Sequence, residues 1–551
     1  MGHISAQIRF TDVTETAGIH HQYVVFEGMF GGGACSFDVN KDGFEDVYIT
    51  GGMNDDVLYL NQQDGTFKNI LDGSGLELTK QFVTQGVAAA DVNRDGWVDL
   101  YVTTINRKDN SQKIPRAPNL LFLNNGNNTF RDATAEFGLG ELYSFSTGGS
   151  FGDFNADGYP DLYVGNYFLE HTGPLTEITD ATIVNAGSTA EGYLLLNREG
   201  KRFEDVYKKY GLKHRGFGFG GVFTDYDYDG DQDLIVNHDF GYKAKPNYLL
   251  RNNYPKKSFT YVEKELGMDL RINAMAAAVG DYDNNGWLDY FITNIKFNRF
   301  MVNQGPGKPF RDMARELGTA FFTISWGANF ADFDQDGDLD LFVANGDLNP
   351  NCTAMGDYLF ENQGGKFQEI GRAAGVNDYG MGRGSITFDM DNDGDQDLLV
   401  VNQKPIRDGY PVPSMTHLFR NDSASGNWLK VTLDGVVSEK HGIGARVRIV
   451  VPGLGQMIRE IDGGGSSHLS QNSTIAHFGL GAAAVIDTLE VVWPGGNRQV
   501  LTGVGVNRLV TVTEVPGPKK GDGSVWVYVG SLLLFLAVIF LVITVMARRA
   551  G

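Results

Sequence analysis

Seven acidic nonapeptides carry most of the chemistry that this 551-residue sequence could perform. Each reads D-x-[DN]-x-[DN]-G-x-x-D. Positions one, three, five and nine are Asp38, Asn40, Asp42 and Asp46 in the first, and Asp91, Asn93, Asp95 and Asp99 in the second. The third has Asp153, Asn155, Asp157 and Asp161, the fourth Asp225, Asp227, Asp229 and Asp233. The last three have Asp281, Asp283, Asn285 and Asp289; Asp332, Asp334, Asp336 and Asp340; and Asp389, Asp391, Asp393 and Asp397. Carboxylate and amide oxygens at this spacing are hard ligands, a backbone carbonyl at position seven can join them, and Gly at position six permits the sharp turn around an ion. The pattern predicts up to seven Ca²⁺ sites. An EF-hand begins the same way but needs a bidentate Glu at position twelve and flanking helices. Position twelve here is Ile49, Val102, Val164, Val236, Ile292, Val343 and Val400, and each begins or continues a short apolar run. These are metal loops that open into strands.

Charge agrees. The 68 acidic and 46 basic residues give a formal net charge of −22, and 24 aspartates lie at the four ligand positions of the seven loops. Seven bound Ca²⁺ would leave −8. An acidic surface disfavours nucleic acid as a partner. No P-loop, GxSxG, HExxH or CxxCH motif occurs, and Cys35 and Cys352 form either one bridge or, the reading favoured here, two unpaired thiols.

The loops recur at spacings of 53, 62, 72, 56, 51 and 57 residues. Internal repeats of this length point to a propeller or solenoid. Before each loop runs a strand of small residues, such as GGGACSF and QGVAAA, suited to the innermost strand of a blade, where strands crowd toward the axis. After it come an apolar strand, a third strand ending in Asn (LYLN, LFLN, LLLN) and an aromatic-led fourth segment. Only six fourth segments follow seven loops. The missing one is at the front, residues 10–19, and it is predicted to pair beside the strand near His417 and close the ring. The expected architecture is all-β: a seven-bladed β-propeller over residues 8–426 and a small β-sandwich-like domain over 427–514. A linker over 515–524, a transmembrane α-helix over 525–546 and a basic tail over 547–551 follow. The 22 uncharged residues 525–546 would span about 33 Å as a helix.

The repeats resemble FG-GAP/VCBS-type calcium propeller repeats. Residues 427–514, with NWLKVTLDG, IGARVRI, the GGGSS run from Gly463, HFGLG and LEVVWPGG, resemble the ASPIC/UnbV domain. Together they are similar to the cartilage acidic protein family and its bacterial relatives. The chain departs from that pattern in lacking a visible signal peptide and in its apolar C-terminal segment.

Metal loops at one end of a propeller leave the variable connections 103–119, 165–192, 237–247, 345–357 and 402–416 at the other. The neighbouring connections are expected to bring Tyr143, His214, Arg215, Phe217, Arg271, Trp326, Tyr379 and Arg383 toward the central mouth as a ligand face. His468, His477 and Asp487 are read as packing residues of the C-terminal domain. No acid–base pair is legible from spacing. The expectation is a non-enzymatic, membrane-anchored, calcium-stabilised recognition or scaffold module with a protein partner or membrane complex, its soluble part extracytoplasmic. The rival is an extracellular propeller enzyme acting on carbohydrate, and the rival topology is a tail anchor facing the cytoplasm.

Overall fold

The computed structural model describes residues 7–26, 30–106, 116–169, 189–349, 351–423 and 426–517. Among them, seven four-stranded antiparallel meanders follow one another along the chain, two of them extended by a short extra strand. The first consists of Ala34–Phe37, Asp46–Ile49, Val57–Asn61 and Phe67–Asn69. Except between sheets four and five, the first strands of consecutive sheets pack against one another, and that of the seventh, Met381–Phe388, returns to that of the first. Sheets four and five meet through a shared apolar cluster containing Val222, Ala277 and Tyr290. The result is a propeller-like all-β fold.

The front of the chain closes the seventh sheet as expected. Phe10–Asp12 pairs antiparallel with His417–Asn421, Phe10 opposite Asn421 and Asp12 opposite Phe419. The strand is shorter than the ten residues predicted. Asp12 Oδ1 accepts the Thr14 N–H at 3.0 Å, which turns the chain, and Gly18 ends that turn at φ 77°. The same device recurs where Asp132 accepts from Thr134 N and Asp205 from Tyr207 N; each fourth segment is three residues of strand or fewer, and in the fourth sheet Tyr261 stands at the capping position instead.

Residues Asn427–Thr513 form two further sheets, of three and four strands, around one core that includes Leu429, Val447, Phe478, Leu489 and Trp493. Alternation sets this packing: Val447, Ile449 and Val451 face the core, whereas Arg446 and Arg448 face away from it. Among the described residues no helix is long and apolar enough to cross a membrane. The predicted span 525–546 lies outside them. Cys35 and Cys352 are both buried and unpaired.

Candidate metal loops and the domain that covers them

All seven loops share one backbone form. Position four, occupied by Lys41, Arg94, Ala156, Tyr228, Asn284, Gln335 and Asn392, is left-handed with φ between 53° and 61°. The Gly at position six has φ between 88° and 100°, and its N–H donates to Oδ2 of the first aspartate in every loop. In loops four to seven, three carboxylates lie within 4.8 Å of one another: Asp225, Asp227 and Asp229; Asp281, Asp283 and Asp289; Asp332, Asp334 and Asp336; Asp389, Asp391 and Asp397. In loops one to three an amide replaces the third-position carboxylate, and Asn40 Nδ2 donates to Asp42 at 3.0 Å.

The ninth aspartate anchors the loop to its sheet. Asp46 accepts the N–H groups of Val39 and Asn61, each at 2.8 Å, and Asp397 those of Met390 and Asn421. The Asn that ends each third strand then reaches into the neighbouring sheet. Its Nδ2 donates to the second-position carbonyl of the preceding loop: Asn124 to Val39, Asn197 to Val92, Asn252 to Phe154, Asn303 to Tyr226, Asn362 to Tyr282 and Asn421 to Phe333. Asn61 completes the circle on Met390 at 2.7 Å. A further series joins neighbouring loops at positions four and seven. Lys41 sits over Trp97, Arg94 over Tyr159 and Tyr228 against Trp287, while Asn284 donates to Asp338 and Gln335 to Asp395. Asn392 reaches Gly43 O, and Ala156 has no side chain long enough to take part.

Burial of these carboxylates makes the ionised form costly. It pushes Asp46 and Asp281 up to about 7, and Asp91 and Asp225 to about 6. Asp99, Asp161, Asp233, Asp289, Asp332, Asp340 and Asp397 lie well above the usual range, with neighbouring aspartates adding to the burial. Buried oxygens of several, Asp161 Oδ2, Asp233 Oδ2, Asp389 Oδ1 and Asp391 Oδ1, receive no hydrogen bond. Oxygen-only donor sets with buried, undonated carboxylate oxygens fit a hard divalent cation, which would reverse both the desolvation cost and the mutual repulsion.

The C-terminal domain lies over these loops. Lys430, with a side chain 3% exposed, places Nζ 2.8 Å from Asp389 Oδ2 and 2.6 Å from Asn392 Oδ1. Arg446 Nη1 is 3.1 Å from Asp225 Oδ2, Glu460 Oε1 accepts the Asp225 N–H, and His477 Nε2 bonds Gly394 O at 2.8 Å. In loop seven the ammonium takes Oδ2 of the first aspartate, and its Oδ1 receives no hydrogen bond.

From the same domain the connection between Glu460 and Ala476 enters the axis of the ring. Leu469 O accepts from Val87 N, Ser470 Oγ from Ala34 N and Gly463 O from Phe151 N. Gln471 donates Nε2 to Ala89 O at 3.0 Å and accepts Ala89 N on Oε1 at 2.6 Å, as a strand partner would. Asn472 Oδ1 accepts from Asn329 Nδ2 and Thr387 N. A Cβ at Gly86 or Gly148 would lie 2.7 or 2.8 Å from Leu469 side-chain atoms, and one at Gly384 only 2.3 Å from Ser470 Oγ. The small residues of the first strands thus make room for this insertion. Sequence reasoning attributed them to crowding at the axis and missed the plug. The available signal was a Gly/Ser-rich connection of 15 residues between two strands of a compact domain.

The structure does not bring the eight predicted ligand-face residues together. Phe217, Trp326 and Arg383 are buried on the axis, the Arg383 guanidinium 4.1 Å from the Trp326 ring and bonded to Gln403 Oε1, Gly382 O and Asp347 O. They fill the end of the channel above His468, whose ring lies 4.9 Å from Trp326. His214 is buried beside Tyr248 and Tyr261, and half-buried Arg215 donates to Thr189 O. Tyr143, Arg271 and Tyr379 are exposed. An axis that must be packed takes the aromatic and cationic side chains that reach it. His468 and His477 are buried in the interdomain contact and Asp487 is exposed, so those three do not converge.

A model described as FG-GAP-like repeat matches residues 38–102, 109–164, 225–292, 281–343 and 332–400, more than half of the chain in all. A second, described as ASPIC and UnbV, matches residues 435–519. Cartilage acidic protein 1 of Mus musculus is 25% identical over 517 residues, spanning 89% of this chain and 74% of its own. That of Xenopus tropicalis is 25% identical over 541 residues, spanning 93% and 77%. Among solved structures, an Agrocybe aegerita protein described as recognising non-reducing terminal N-acetylglucosamine is similar over 72% of this chain and 96% of its own, with 15% identity and a TM-score of 0.38. BBS1N in complex with ARL6DN is similar over 71% and 93%, with 9% identity and a TM-score of 0.39. Both structural likenesses are distant.

Proposed function

The chain belongs to the FG-GAP-like repeat family and carries an ASPIC and UnbV domain, and from that premise we propose that it is a non-enzymatic recognition module. Seven sheets act as blades of one closed ring, Ca²⁺ in the seven loops stiffens that ring, and partners bind at the end away from the loops. The observation that carries this reading is the axial plug. A propeller usually offers its central channel to a small ligand or substrate. Here one side is taken by residues 463–472 and the other by Trp326, Arg383, Phe217 and their neighbours. Recognition falls to the rim, where Tyr143, Phe297, Phe322 and Tyr379 stand exposed by 46%, 47%, 69% and 47%. Large exposed aromatics are the usual anchors of protein contacts.

Relatives named for cartilage support an extracytoplasmic setting, as does the affinity of extracellular calcium modules, about 10⁻⁴–10⁻³ M. Residues 525–546, outside the described part, are the proposed membrane anchor. The test is co-purification of the full chain in mild detergent, wild type beside Phe322→Ser and Tyr379→Ser. A partner retained by wild type and lost from both variants supports the reading. A partner indifferent to both, or turnover of a glycan by the purified chain, overturns it.

A further inference from the structure

A cleft of about 380 Å³ lies between the outer face of the C-terminal domain's four-stranded sheet and metal loops four and five. Its floor is built by register. Arg446 lies opposite Val492, which lies opposite Arg498, and Arg448 lies opposite Glu490 on the same face. Three guanidiniums therefore project from adjacent strands into one cleft. Glu490, 7% exposed, offsets one of them, taking Arg448 Nη1 at 3.1 Å and Arg498 Nε. With Asp225 pairing Arg446, the cleft keeps a local charge of about +1 in a chain of −22. Arg446 spends Nη1 on Asp225 and Arg448 spends Nε on Gln456.

The opposite wall is aromatic. The Arg446 guanidinium lies 3.6 Å from the centre of the Tyr228 ring, and Tyr228 stacks on Trp287 at 4.7 Å. Val492 and Ile458 add apolar floor. The volume lies within the range of pockets for organic molecules, roughly 300–1,000 Å³, and far exceeds a single oxyanion's need. Arg498, 64% exposed on the edge strand, leaves the rim open to one residue of a longer polymer.

We propose that this cleft binds a saccharide unit bearing a carboxylate or sulfate. Planar guanidinium forks suit both oxyanions, and the Trp287 ring, which Tyr228 backs, and the apolar floor suit the C–H surface of a sugar ring. The site lies at the domain junction, away from the exposed aromatic rim, and does not depend on the partner reading above.

Saturation-transfer NMR on the full chain tests it with glucuronate, glucose 6-sulfate, glucose and inorganic sulfate as probes. Both acidic sugars are expected to receive saturation at their ring protons, and glucose at equal concentration none. Arg498→Gln and Arg448→Gln are each expected to weaken glucuronate at least ~10-fold, the usual loss for one charge-assisted hydrogen bond. Melting curves of each variant verify the fold, and Arg498→Gln, at an exposed edge, leaves the Arg448–Glu490 pair intact. The proposal is overturned if glucose binds as well as glucuronate, if folded Arg498→Gln binds as wild type does, or if sulfate alone displaces glucuronate at equal concentration.

Discussion

Each ninth-position aspartate works beside the asparagine that ends the third strand of its own sheet, whose side chain reaches a carbonyl of the neighbouring sheet. Asp397 receives the Asn421 N–H, while Asn421 Nδ2 donates to Phe333 O and Gln396 O, tying the seventh sheet to the sixth. Asn421→Ala strands two buried carbonyls and should cost about 1–3 kcal/mol in urea unfolding. The aspartates were legible because ligand chemistry fixes residue type and spacing. The asparagine was visible only as a recurring strand end, because its partner is a backbone carbonyl, which leaves no trace in the sequence. A second contact of this scale sits at ring closure, where His417 Nδ1 lies 2.9 Å from Asp12. Burial opposes both ionised forms, yet the pairing, together with the Thr14 hydrogen bonds to Asp12 and the charge of Asp378 beside His417, outweighs it: Asp12 falls to about 2 and His417 rises above its ordinary 6.5. The Asp12 contribution is present above pH 3.8 and lost as pH falls toward about 2. The His417 contribution is full below pH 6.5 and lost as pH rises through its folded value. The melting temperature of His417→Gln should therefore trail wild type most near pH 5 and approach it by about pH 8. A gap that widens toward pH 8 would contradict the clasp.

The four-strand repeat and the strand that closes it could be read from apolar alternation, the Asn strand ends and a count of fourth segments. The axial plug could not, because its contacts are mainly to backbone and to absent side chains. Glycine at 86, 148 and 384 is informative only once Leu469 and Ser470 are seen against it. Gly148→Val should thus drive a branched side chain into Leu469 and destabilise the chain by about 1–3 kcal/mol, the usual overpacking cost; unchanged stability would mean that the plug does not occupy the axis in solution. Gln471→Ala should cost a similar amount, since Ala89 N and O both lose their partner. The loops form a second connected element. Contacts from position four to position seven link loops one, two and three and loops four to seven, with Ala156 as the gap between the groups. Metal binding in one loop fixes the arm that touches the next, so calcium titration should be cooperative, with a Hill coefficient above one that falls in Lys41→Ala and Tyr228→Ala. Independent, equal sites in wild type would refute that coupling.

At the scale of the whole molecule, one set of charges governs both domains. Twenty-four aspartates sit at the ligand positions of the loops, and the C-terminal domain meets loops four and seven with Arg446 and Lys430. Arg459, buried and held below its usual range by burial, also lies near Asp332 and Asp281. Three protein cations cannot offset that many carboxylates. On the proposed reading the remainder falls to metal, which would stabilise the folded chain by RT ln(1 + [L]/Kd) per site, about 2.7 kcal/mol at a hundredfold excess over Kd. Excess EGTA should lower the melting temperature steeply, and an unchanged melt would show that the loops hold without metal. The most direct measurement is a count of ions: anomalous scattering from crystals of the full chain grown with Ca²⁺, collected at a wavelength where calcium scatters. The account predicts seven peaks, each within about 2.3–2.6 Å of oxygen ligands from one loop; fewer than four would contradict it.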